Sequence, residues 1–292
     1  MDGIKSWEHH EFPKVTMVEC QPRSLHQLVT DSKYTPHIKG WMVESFVGCN
    51  YETLKRVTKD GHLKSVAKAR KFAAELRRSM PHTGSVPVMH PAVCGGGLSV
   101  PTHLAGNPLC FHLPEYMAAA TEPVTMWVAL NCWGGIKHGK VAERSLSVLG
   151  LASLVNDERP VDLRVYQYST VNECNGEACA VYPLGVRPVD WAMAGALLGH
   201  TGVYRAASFG VISTETCGKE AKKDGRYLDP DAYGKDMAFG EEDRRKLLGM
   251  RDDDIHVGVW NSSDAKKAPK QWVQDWYDEL VNKGVLGITA QA

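Results

Sequence analysis

The chain predicts an α/β fold: a mainly parallel sheet flanked by helices, with a mainly helical region in front of it. Three observations carry this. First, residues 124–130 are a short apolar run ending in Asn131-Cys132-Trp133-Gly134-Gly135, and apolar residues at helical spacing follow, among them Val141, Leu146, Leu149 and Val155. Asn156-Asp157-Glu158-Arg159-Pro160 interrupts them, and residues 161–168 read as a second strand. Strand, glycine turn, helix of about fifteen residues and strand make a βαβ unit, whose strands pair in parallel. Second, 206–213 and 254–261 are further apolar runs of strand length, expected as the third and fourth core strands. Third, the stretch before residue 85 is dominated by helical periodicity. The expected organisation is a helical region over 1–85 packing on a sheet domain over 86–292, as two units or one continuous domain.

In chain order, 14–20 suits an edge strand, and Ser24 suits the N-cap of a short helix over 25–29. Asn50 caps a second helix that Asp60-Gly61 stops, and a third runs over 63–80. Six of the fifteen prolines and five glycines fall in 81–115, which marks a junction. It reads as a strand, the turn Gly95-Gly96-Gly97, one helical turn near Pro101 and a strand at 109–113. Residues 177–184 continue from Tyr168 as a hairpin through Asn175-Gly176. Pro188 opens a mostly apolar helix that Gly199 ends. Residues 214–252 are polar, with a short helix at 241–250. Pro269 opens the last helix, where Trp272, Val273, Trp276, Leu280 and Val281 form an apolar stripe.

Composition bounds the function classes. The chain has 292 residues, 43% apolar and 23% charged, as in ordinary globular proteins. It has no run of 18 apolar residues, so no membrane span is expected. Met1 to His10 contains no apolar signal core, so an intracellular, cytoplasmic protein is expected, with its cysteines as free thiols. Lys and Arg balance Asp and Glu at 34 each, which offers no global attraction for nucleic acid. The balance is uneven, however: 14 against 10 over residues 1–120 is a net of +4, leaving 20 against 24, or −4, for the rest.

Candidate sites follow from residue types and their placement. The third helix carries Lys64, Lys68, Arg70, Lys71, Arg77 and Arg78 against one acid, Glu75. This is either a solvated face or a surface for phosphates, and Lys64, Lys68, Lys71, Arg77 and Arg78 are its nucleic-acid candidates. Trp127, Trp133, Tyr166 and Tyr168 could stack bases or fill a core. In open α/β sheets ligands gather beyond the carboxyl ends of strands. Asn131, Cys132, Trp133, Ser169 and Asn261 stand there as a ligand or partner site, although such residues also serve ordinary turns. Gly95-Gly96-Gly97 and Gly134-Gly135 match neither phosphate-loop nor dinucleotide spacing. No nucleophile elbow is present, and Cys132 is the best-placed thiol. His90, Cys94, His103, Cys110 and His112 do not have the spacing of a zinc module. No catalytic residue, metal ligand or cofactor is therefore predicted.

The element order, with polar strand-end loops, resembles the Rossmannoid layout of von Willebrand factor A-type domains. Those bind a divalent metal through D-x-S-x-S after the first strand, and Asn131-Cys132-Trp133-Gly134-Gly135 lacks the Asp and both serines. Three segments are closer to an uncharacterised domain family found in tailed phages and some actinobacteria. They are Phe46-Val47-Gly48 with Thr53-Leu54 and Asp60-Gly61; Leu98-Ser99-Val100-Pro101-Thr102-His103-Leu104-Ala105-Gly106-Asn107-Pro108; and Pro188-Val189-Asp190 running to Tyr204-Arg205 and Phe209. The resemblance implies a phage protein acting in the cytoplasm of an infected host. Within it, Asp190 and Arg205 are expected as a structural ion pair, with a ligand-binding Arg205 as the alternative; Asp190 also suits the first turn of a helix. The expected role is a non-enzymatic accessory factor that binds single-stranded nucleic acid, or a phage or host polymerase, in transcription or replication. A protein–protein adaptor or virion-associated protein is the second reading, and an enzyme of unrecognised type the third.

Overall fold

The βαβ unit is present: β6 (Val124–Ala129), a helix (His138–Glu158) and β7 (Val161–Val171). The computed structural model describes residues 3–13, 15–30, 49–79, 88–92, 97–98, 104, 111–115, 123–131, 138–171, 176–186, 188–212, 240–260 and 264–286. Ahead of that unit lie β1 (Ile4–Glu8), β2 (Val15–Cys20), a 3-10 turn (Pro22–Ser24), α1 (Leu25–Thr30), α2 (Tyr51–Asp60), α3 (Leu63–Ser79), β3 (Val88–Ala92), β4 (Gly97–Leu98) and β5 (Phe111–Glu115). The helix of the unit is α4. After β7 come β8 (Gly176–Pro183), α5 (Trp191–Gly199), α6 (Thr201–Ile212), α7 (Glu241–Leu248), β9 (Ile255–Val257) and α8 (Pro269–Asn282).

Six strands form the main sheet in the order β1-β2-β8-β7-β6-β9. β6 runs parallel to β7, from Val124 opposite Val161 to Ala129 opposite Tyr166, and parallel to β9 on its other side. β2 and β8 are also parallel, whereas β7–β8 and β1–β2 are antiparallel. The sheet is therefore mixed rather than purely parallel, because the β7–β8 hairpin reverses the chain. Strands from both sides of residue 85 share it. β3, β5 and β4 make a separate antiparallel sheet.

Alternation along each strand divides the core in two. Val18, Cys20, Met126, Val128, Leu163, Val165, Ala180, Tyr182, Ile255 and Val257 face one way, beneath α1 to α6 and α8. Val15, Met17, Trp127, Ala129, Tyr166, Tyr168 and Cys179 face the other way, beneath Leu247 and Leu248 of α7. β6 is buried on both faces, which is why its sequence is continuously apolar rather than alternating. Among the described residues no helix is long and apolar enough to cross a membrane.

A hydrogen-bonded chain holds α7 to the second face. The Tyr166 hydroxyl is 2.8 Å from His256 Nε2, His256 Nδ1 is 2.7 Å from Glu241 Oε1, and Arg244 donates to Glu241 Oε2 at 3.0 Å. Burial lowers the His256 pKa, and this outweighs the upward pull of Glu241. His9, His62 and His200 are lowered as well, each chiefly by burial. An unfolded chain whose histidines titrate at about 6.5 takes up protons before the folded one does. Stability is thus complete above that pH and falls as the pH drops toward the lowered native values. Urea titrations should give a lower midpoint at pH 5.5 than at pH 7.5, and His256→Gln should narrow the gap.

Three expected elements are corrected. Residues 206–212 lie in α6, a helix, not a third core strand, and residue 213 is outside the described residues. Val203, Ala206, Ala207 and Val211 are buried at spacings of three and four, the helical period, which a run of small and β-branched residues conceals. The strand at 15–20 is interior, between β1 and β8, not an edge. Ser24 is not the cap of α1 but the last residue of the 3-10 turn that leads into it.

Candidate nucleic-acid interface

α3 is amphipathic by spacing. Val66, Ala69, Ala73 and Leu76 are buried, and this face packs on α4 and α5. Lys64, Lys68, Lys71, Glu75 and Arg78 recur at alternating steps of four and three, which places them in one row along the opposite side, all exposed. At 1.5 Å rise per residue the row from Lys64 to Arg78 is about 21 Å long. Its four cations have no ion-pair partner among the described residues. The other two bases of the helix are engaged. Arg77 contacts Asp157 at 3.1 Å and Glu158 at 3.3 Å, and Arg70 lies 5.4 Å from the Trp191 ring centroid.

α2 extends the basic surface. Asn50 caps it, its Oδ1 accepting from the Thr53 amide at 2.8 Å, and Arg56 and Lys59 are exposed without an ionic partner among the described residues, whereas Lys55 pairs with Glu52 at 2.8 Å. The turn into α3 is pressed onto α5. Gly61 has φ 78° and ψ −173°, and a Cβ there would lie 2.5 Å from that of Ala192. The His62 amide donates to the Ala192 carbonyl at 2.9 Å. His62 Nδ1 is 2.6 Å from Ser65 Oγ, which also reaches the Gly199 carbonyl at 3.3 Å, and the His62 and His200 rings meet edge-on at 5.4 Å. Burial lowers the His62 pKa first, then the positive charges of Lys64, Lys68 and Arg56. Sequence reasoning missed this cluster because His200 reaches it only through the docking of α5 on α3.

The strand-end candidates are divided. Cys132, Trp133 and Asn261 lie outside the described residues, and Ser169 is described only as backbone in β7. Asn131 is 3% exposed and spends its amide on β7: Nδ2 donates to the Tyr168 carbonyl at 2.7 Å and Oδ1 accepts from the Tyr168 amide at 2.9 Å. It acts as one more rung of the β6–β7 ladder. Asn131→Ala should lower unfolding free energy by about 3 kcal/mol, since two buried backbone groups lose their partner. A urea titration measures this. Beside it Arg144, buried on α4, donates to the carbonyls of Ala129, Leu130, Asn131 and Gly258 and so ties the ends of β6 and β9. An arginine in a helix gives no sequence sign of that role.

The remaining candidates are placed as follows. Trp127, Tyr166 and Tyr168 are 2%, 1% and 3% exposed and belong to the second core, not to a stacking surface. Asp190 is the N-cap of α5, accepting from the Met193 amide at 3.1 Å; Arg205 lies within α6, where only its backbone is described. Cys20, Cys49 and Cys179 are free thiols, and burial pushes Cys20 and Cys179 up to about 12, which makes them poor nucleophiles. Cys94, His103 and Cys110 lie outside the described residues, as do residues 213–239, which hold most of the polar stretch, and most of the Leu98 to Pro108 segment.

The sequence pattern of one family, a domain of unknown function (DUF7192), matches residues 13–189, more than half of the chain. No curated protein matches, and no solved structure matches.

Proposed function

The chain belongs to the DUF7192 family, a domain of unknown function, and from its own residues we propose that it binds nucleic acid through the phosphate backbone, using the exposed face of α2 and α3. The observation that carries this is the row Lys64, Lys68, Lys71 and Arg78, without an ion-pair partner among the described residues, on a helix whose other face is locked against α4 and α5. Like charges three and four residues apart repel each other by a few tenths of a kcal/mol. A polyanion turns that repulsion into attraction and gains further from counterion release. The reading includes no catalysis and no cofactor. With the phage setting that the sequence resemblance implies, the role is that of an accessory factor in transcription or replication inside an infected cell.

The described surface suits phosphate contacts rather than base contacts. Phe72 and Trp191 are half-buried, and Arg70 lies over Trp191, so α3 offers no open aromatic platform. Binding is expected to depend weakly on base sequence and steeply on salt. A partner site at the strand ends has less support, because Asn131 spends its polar groups on Tyr168. Fluorescence anisotropy with labelled single-stranded DNA, duplex DNA and RNA, at low and at physiological salt, tests the proposal. Affinity that weakens as salt rises supports it; no binding at low salt, where attraction is strongest, removes it.

A further inference from the structure

We propose that Arg56, Lys64 and Lys68 form a phosphate subsite around His62, and that filling it draws a proton onto the His62–His200 pair. This rests on the nucleic-acid reading and specifies where a phosphate sits and how pH governs its affinity. His62 is half-buried, its Nδ1 is engaged by Ser65 at 2.6 Å, and its Nε2 makes no hydrogen bond among the described residues. The ring therefore keeps one nitrogen for a ligand while the other is fixed by the protein. The groups acting on it come from every element at this corner: Arg56 of α2, Lys64 and Lys68 of α3, and His200 after α5. No carboxylate is among them, so among the described residues the cluster gathers positive charge that is not neutralised.

In the free protein, burial holds both imidazoles below their ordinary pKa, aided by these cations at His62 and by His62 at His200, so the pair is neutral near pH 7. A phosphate seated among Arg56, Lys64 and Lys68 cancels the repulsion that opposes protonation, and a protonated Nε2 becomes a further donor to it. The ligand favours the protonated form, and affinity must then rise as pH falls.

The test is binding of a labelled oligonucleotide between pH 8 and pH 5.5 at constant ionic strength. If binding raises the pKa by one unit, affinity should increase severalfold over that range, toward a limit of about tenfold at lower pH. The salt slope should also steepen by about 0.7, the contribution of one added phosphate contact on a single strand. His62→Gln should flatten the pH dependence, while His256→Gln, on the opposite face of the sheet, should keep it. Imidazole proton shifts of His62, followed during separate titrations with the oligonucleotide and with inorganic phosphate, identify the source. Movement with inorganic phosphate assigns the subsite to free or terminal phosphate, and movement with the oligonucleotide alone assigns it to the backbone. Salt-sensitive binding with no pH dependence, or with the same dependence in His62→Gln, overturns the subsite and leaves the nucleic-acid reading standing. Absence of oligonucleotide binding at every pH overturns both.

Discussion

Replacing Lys64, Lys68, Lys71 and Arg78 together by alanine is expected to remove most of the affinity for nucleic acid while leaving the fold intact. Each cation that neutralises a phosphate of a single strand contributes about 0.7 to the slope of log affinity against log salt, so the slope should fall by about 2.8. Between low and physiological salt the variant should therefore change little where the wild type weakens steeply. The fold should be unharmed because all four side chains are exposed and have no ion-pair partner among the described residues, alanine is the best helix former, and the loss of like-charge neighbours is mildly favourable. Arg77→Ala is the matched control. That side chain is bound to Asp157 and Glu158 across α4, so its removal should barely move the salt slope. A quadruple variant with the wild-type slope would place the binding surface elsewhere.

Gly61→Ala should be strongly destabilising, at about 4 kcal/mol in a urea titration. Two separate costs add. The backbone there, with φ 78° and ψ −173°, lies in a region open essentially to glycine alone. The new Cβ would also lie 2.5 to 2.6 Å from the Cβ, carbonyl carbon and carbonyl oxygen of Ala192, atoms that a rotamer change cannot move aside. Relief requires separating the turn from α5, which breaks the His62–Ala192 hydrogen bond next to it and displaces the start of α3. The variant should consequently lose affinity along with stability, unlike the quadruple alanine variant, which loses affinity alone. Wild-type stability in Gly61→Ala would mean that α3 does not dock on α5 as described.

Much of the architecture follows from local signals. β6, α4 and β7 are legible because the hydrophobic period changes at Gly134-Gly135 and again at Pro160. Asn50 and Asp60-Gly61 bound α2, since a capping amide and a glycine at positive φ are chemical requirements of helix ends. The basic row of α3 is legible too, because exposure follows helical period once Val66, Ala69, Ala73 and Leu76 are assigned to the core.

The tertiary structure decided the rest. Residues 206–212 are helical although their composition suits a strand, because the burial available beside α1 is of helical period. β2 is interior because β1, exposed along nearly its whole length, pairs with it, and β1 has no apolar alternation to announce it. Asn131 is a rung of the sheet and Arg144 a clasp on strand-end carbonyls, roles set by partners up to 114 residues distant. The same holds for His62, Ser65 and His200. Sequence periodicity determines which face of an element is buried, but which faces meet is settled only when the elements pack. Charge clusters such as that around His62 come into being at that step.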